Sequence, residues 1–194
     1  MRKFFAVLIL LILFLPGCSA PKSADLPEIL LTIDGEAALT REDLLFARAY
    51  EGVSPKDRKD NEALFLRLAA KAVCMEISET WGDGQSYEEI AAEYEIWLTS
   101  LESTAQQAQY DALREELAQL SDDAFHRAFT DYLYRSACTE DLLDSIAAIY
   151  GGTTDAQTIR EGILANLWEL SDPMEICPYY PGIDFTKFDF EDLL

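Results

Sequence analysis

The 194-residue chain reads as mostly α, an irregular helical bundle of about five or six helices with one short two-stranded pairing between the N- and C-terminal segments. Three observations predict this. Apolar residues recur at three-four spacing through several long windows. Capping residues open those windows and Gly or Pro closes them. Only a stretch near each end, around ILLTI and around MEI, reads as extended, and a lone strand would leave backbone donors without partners. A hydrophobic content of 49% can build a core, which argues against wholesale disorder. Thirty-six acidic against 15 basic residues give a net charge of -21, which excludes nucleic acid as a partner, since phosphates demand Lys and Arg. The length suits one domain plus a removable segment.

The elements follow in order. MRKFFAVLILLILFLPGC has a basic head and an apolar run from Phe4 to Leu15, the pattern of a secretion signal. A spanning helix needs roughly 20 apolar residues, so this run is too short to stay as one. Residues 18–28, with Pro21, Lys22, Ser23 and Pro27, carry no apolar period and read as a tether. LLTIDGEAALTREDL, residues 30–44, reads as a strand, a tight Asp-Gly turn and an immediate helix start with Thr40 as cap. That helix holds Leu44, Leu45 and Ala49 and ends near Gly52. Ser54-Pro55 supplies a cap and a first-turn Pro for the next helix. Between Asn61 and Trp81, apolar residues at Leu64, Phe65, Leu66, Leu68, Val73, Cys74, Met75 and Ile77 wrap most of the circumference, which marks a central helix.

Ser86 and Glu89 form a capping box for the cleanest amphipathic stripe in the chain: Tyr87, Ile90, Ala91, Tyr94, Trp97, Leu98 and Leu101. Ala105, Ala108 and Ala112 continue it with small side chains, as one long helix or two. Ser121 caps a helix carrying Phe125, Phe129, Tyr132, Leu133, Leu142, Leu143 and Ile146, with a kink expected near Cys138-Thr139. Gly151-Gly152 ends it, and Thr154 with Gln157 boxes a last helix that holds Ile159, Leu167 and Trp168 before Pro173. In the tail, Met174 to Ile176 is the second extended segment and pairs with the first. Tyr179, Tyr180 and Phe185 are expected to pack on the open side of the bundle, and residues 186–194 form a loose acidic, aromatic end.

Two resemblances add to this reading. Leu15-Pro16-Gly17-Cys18 resembles a bacterial lipobox. The resemblance implies cleavage after residue 17, a diacylglyceryl thioether on Cys18, and a mature chain of 177 residues. Without Arg2 and Lys3 that chain has 13 basic against 36 acidic side chains, a net of -23, which an anionic lipid surface repels. The implied location is the extracytoplasmic face of the cell membrane. Ser19 after the lipidated Cys is similar to the pattern sent to an outer membrane where two membranes exist. Second, ILLTIDGEAALTREDL, with Ile33-Asp34-Gly35-Glu36 and Thr40-Arg41-Glu42-Asp43, resembles the opening of SurA/PrsA-type extracytoplasmic chaperones. NEALFLRLAAKAVCMEISETWGD, SYEEIAAEY, LSDDAFHRAFTDYLYRSACTEDLL and EICPYYPGIDF are similar to later helices and the closing strand of that domain, so the likeness covers residues 29–185. The family's parvulin isomerase domain would interrupt the chain at Gly151-Gly152, where no room for it remains, and its paired histidines have one counterpart at most, His126.

The resemblance therefore implies a chaperone core without isomerase activity. Its partners would be unfolded or secreted polypeptides, held in an apolar groove whose wall is guessed to include Tyr94, Trp97 and Trp168. The competing expectation is a structural or partner-binding lipoprotein that keeps the fold without chaperone activity. Chemistry is otherwise sparse. His126, beside Asp122-Asp123, reads as a solvated surface residue rather than a base. Asp83-Gly84-Gln85 before Glu88-Glu89 lacks the ligand spacing of a calcium loop and reads as a turn and cap. Carboxylate pairs such as Glu115-Glu116 are too common to indicate a hydrolase. No metal, cofactor or catalytic residue is expected. With Cys18 set aside, Cys74, Cys138 and Cys177 leave an odd thiol; a Cys138–Cys177 or a Cys74–Cys138 bridge both remain open, and Cys74 reads as a core residue.

Overall fold

A computed structural model describes residues 26–81, 84–101, 104–149 and 174–183. The signal segment, Cys18 and most of the tether lie outside these residues. So do the expected last helix with Trp168 and the tail from residue 184 on.

Five helices and a small sheet make up the described chain. They run β1 (Ile29–Ile33), β2 (Glu36–Thr40), α1 (Arg41–Glu51), α2 (Arg58–Trp81), α3 (Tyr87–Thr99), α4 (Thr104–Glu116), α5 (Asp122–Ile149) and β3 (Ile176–Pro178). The two ends of the domain pair as expected, but the second strand lies two residues later than the Met174 to Ile176 segment: β3 is antiparallel to β1, with Leu31 opposite Pro178, Thr32 opposite Cys177 and Ile33 opposite Ile176. Tyr179 N–H donates to Leu30 O at 2.8 Å and Asp34 N–H to Glu175 O at 2.9 Å, which extends the pairing beyond the strand itself.

The sheet has a third strand that the sequence reading, which goes from the Asp-Gly turn directly to a helix capped by Thr40, does not foresee. Asp34 (φ 51°) and Gly35 (φ 83°) both adopt positive φ, the two-residue turn that suits a hairpin, so Glu36–Thr40 folds back on β1 and the order is β2-β1-β3. Glu, Ala and Leu favour helix intrinsically. Here Ala38 and Leu39 are buried against the core, and packing overrides that preference. Helix α1 starts at Arg41 with Thr40 as its cap, as expected, and Thr40 and Asp43 make a reciprocal capping box: Thr40 N–H donates to Asp43 Oδ2 at 2.7 Å and Asp43 N–H to Thr40 Oγ1 at 3.3 Å. It ends as expected at Gly52, whose φ of 68° suits glycine.

Helix α2 begins three residues later than the Ser54-Pro55 signal suggests. Asp57 N–H bonds Ser54 O at 3.1 Å, forming a turn, and the Asp57 carboxylate accepts from Asp60 N–H at 3.2 Å at the helix start. Its central position is as read: Leu64, Phe65, Leu68, Val73, Cys74 and Ile77 are all buried, packed against the sheet and α5. Tyr180, expected to cover the bundle, stacks on Phe65 with ring centroids 4.7 Å apart, whereas Tyr179 is exposed. Beside it Arg48 lies buried. Burial lowers the Arg48 pKa, and the neighbouring Tyr180 phenol offsets part of that lowering.

Ser86 and Glu89 cap α3 as expected, and α5 runs unbroken past Cys138-Thr139, with Ser121 Oγ accepting from Ala124 N–H at 3.2 Å. The stretch between is two helices, and its phase differs from the alanine stripe: Ala105, Ala108 and Ala112 are exposed, while Tyr110, Leu113 and Leu117 turn inward. Bulkier residues one position along remove more apolar area from water, and the helix rotates to bury them.

One buried ion pair ties these parts together. Arg135 of α5 donates through Nη1 to Asp43 Oδ1 at 3.0 Å and through Nη2 to Ala38 O at 3.1 Å, and both side chains are almost wholly buried. Arg135→Leu leaves the Asp43 carboxylate buried without its cation and is expected to cost about 3–5 kcal/mol in urea unfolding. A loss below about 1 kcal/mol, the size of an exposed pair, would contradict this role.

Candidate functional site

The aromatic side chains of four helices converge on Phe129. Phe46 of α1 lies 4.8 Å from its ring centroid, Tyr94 of α3 4.7 Å and Trp97 of α3 5.7 Å. Tyr110 of α4 stands edge-on to Phe125 at 5.7 Å and to Trp97 at 6.1 Å. Such offset and edge-on pairs add to what area burial alone contributes. Four-residue spacing explains the convergence: Phe125 and Phe129 share one face of α5, and Phe46 and Tyr50 share one face of α1.

The cluster is closed on its inner side and open on its outer one. Phe46 and Phe125 are fully buried, whereas Tyr50 is 49% exposed and Trp97 is half-buried. Two cavities open there. One, of about 630 Å³, lies among α1, α3, α4 and α5 and is lined by Ala49, Tyr50, Trp97, Tyr110, Leu113 and Phe129 together with Gln106, Gln109, Ala112 and Glu116. The other, of about 500 Å³, is lined by Ile90, Tyr94, Leu133 and Ala137, with Glu93, Ser136 and Glu140. Both share Tyr50, Trp97 and Phe129, so together they make one groove with an aromatic floor. Their size falls in the range of ligand pockets.

Of the wall residues guessed from sequence, Trp97 borders both cavities and Tyr94 borders the second. Tyr94 is buried, and its hydroxyl bonds His126 Nδ1 at 3.0 Å. His126 is thus half-buried with a side-chain partner rather than simply solvated. Burial, with Tyr110 nearby, raises the Tyr94 pKa well above its ordinary value, which keeps the phenol neutral. Trp168 lies outside the described residues. Tyr50 and Phe129 emerge only in three dimensions: Phe129 reads as an ordinary core position, and Tyr50 is the last aromatic before the Gly52 stop.

Elsewhere the chemistry is structural. Burial raises the Asp131 carboxyl, which accepts a 2.9 Å bond from the Tyr87 hydroxyl, and burial first, then Asp131, pushes that phenol up to about 12. Glu79 accepts from Tyr134 Oη at 2.8 Å. Among the described residues no three His, Cys, Asp or Glu side chains are grouped as a metal site, and no helix is long and apolar enough to cross a membrane. No family model matches the chain, and neither a curated protein nor a solved structure does.

Cys74, Cys138 and Cys177 are all free thiols, so neither bridge left open by the sequence is formed. Burial first, and then the neighbouring Cys138, pushes the Cys74 thiol up to about 12, and burial raises Cys138 as well. A maleimide should therefore label Cys177, which is only half-buried, long before either of the others, since the thiolate is the reacting form. Mass spectrometry of the native protein reads the order. Equal labelling of Cys74 and Cys177 without denaturant would contradict the burial.

Proposed function

We propose that this chain is a lipid-anchored, extracytoplasmic protein that holds unfolded or extended polypeptide segments without catalysis, as a helical domain of the SurA/PrsA type without an isomerase domain. The observation that carries the reading is the groove: a floor of the half-exposed Tyr50 and Trp97 over the buried Phe129, spanning two cavities. An unfolded chain offers isolated apolar side chains a few residues apart, and two pockets along one aromatic floor can receive two of them. Tyr and Trp bind through large rigid surfaces at little cost in side-chain entropy. Gln109 on the α4 rim offers an amide group that can bond any peptide backbone, which suits binding without a strict motif. The anchor reading rests on Leu15-Pro16-Gly17-Cys18 and on the acidic domain standing off the lipid behind its tether.

Purified protein is expected to suppress aggregation of a denatured client and to bind unfolded peptide. Trp97→Ala, at the centre of the groove, should weaken peptide binding by about tenfold or more, while the half-exposed position leaves the fold in place by circular dichroism. Absence of both activities in the unaltered protein would overturn the proposal. For the anchor, intact mass of the N-terminal peptide of membrane-extracted protein should show acyl chains on a chain that begins at Cys18. A free Cys18 thiol or a different N-terminus would contradict it.

A further inference from the structure

We infer that the groove selects segments in which aromatic or aliphatic side chains are interspersed with Lys or Arg, and that it turns acidic segments away. The inference rests on the polypeptide-binding reading above. Every formally charged side chain lining the two cavities is a carboxylate: Glu116 in the first, Glu93 and Glu140 in the second. All three are exposed, so they stand at the rim while the apolar side chains enter. The nearby cations are engaged by the protein's own groups, Lys71 at the wall of the second cavity itself through Ser136. Arg67 pairs with Glu51, and Arg114 reaches Asp122 while its guanidinium covers the Phe125 ring at 4.5 Å. Lys71 donates to Ser136 Oγ at 3.1 Å and lies 5.1 Å from the centre of the Tyr132 ring.

A rim of one sign above low-dielectric aromatic walls favours the opposite charge in whatever binds, and it speeds encounter as well. The other occupants within reach bring more acid. A second copy carries the same charge of -21, an anionic bilayer is repelled in the same way, and the chain's own end would add Asp189, Glu191 and Asp192 to the rim. A segment rich in Lys or Arg brings the complement.

The test uses the full protein extracted in detergent and two labelled peptides with identical aromatic and aliphatic positions, one carrying Lys and the other Glu between them. Fluorescence anisotropy at low salt should show the Lys peptide binding at least about tenfold tighter, with the gap narrowing at about 0.5 M salt as the charges are screened. In the exposed triple variant Glu93→Gln, Glu116→Gln, Glu140→Gln, the two peptides should bind within about threefold of each other, because the discriminating charges are gone. Equal binding of both peptides to the unaltered protein overturns the selectivity and leaves the apolar groove standing. Failure of both peptides to bind removes the groove reading itself. A dimer that the Lys peptide does not displace assigns the groove to a second copy and overturns the inference as well.

Discussion

The contact between Asp43 and Arg135 is the constraint on which the rest of the architecture depends. Asp43 uses one oxygen to close the capping box with Thr40 and the other to bind Arg135. The same guanidinium reaches Ala38 O in β2. A single buried carboxylate thus determines where the hairpin ends, where α1 begins and how α5 lies across both. Two charges removed from water at this depth are favourable only with their hydrogen bonds made, so the arrangement penalises alternative placements of α5 more than it adds stability.

The groove follows from that placement. With α5 held against β2 and α1, Phe129 and Phe46 meet in the interior, and the next aromatic along α1, Tyr50, is carried out to the surface. Helix α3 supplies Trp97 on the far side. Helix α4 then completes the wall with Tyr110 and Leu113, but its Ala112, which borders the opening, carries only a methyl group. Large rings below and small side chains at the edge leave a space that the described residues do not fill.

Much of the fold is legible in the sequence because local signals and packing agree there. The three-four stripe of α3, the Ser86–Glu89 box, the Gly52 stop and the wrapped apolar surface of α2 all appear where periodicity and capping place them. Misreadings occur where two local signals compete. Glu36-Ala37-Ala38-Leu39 has the composition of a helix but follows a turn that demands a strand, and the turn prevails because Ala38 and Leu39 then reach the core. In α4 both an alanine stripe and a Tyr110-Leu113-Leu117 stripe have helical spacing, and the larger side chains win. The groove is half legible: Trp97 stands out on its stripe, but Tyr50 and Phe129 become neighbours only through the Arg135 tether, a pair separated by 92 positions that no local pattern reveals.

The central claim, that polypeptide occupies the opening among α1, α3, α4 and α5, is tested most directly by amide chemical-shift mapping of the protein against an unfolded peptide. The account predicts shifts gathered at Tyr50, Trp97, Gln109, Leu113 and Phe129, with β1 and β3 unmoved. Shifts centred on the sheet and Tyr179, or none at saturating peptide, would contradict it.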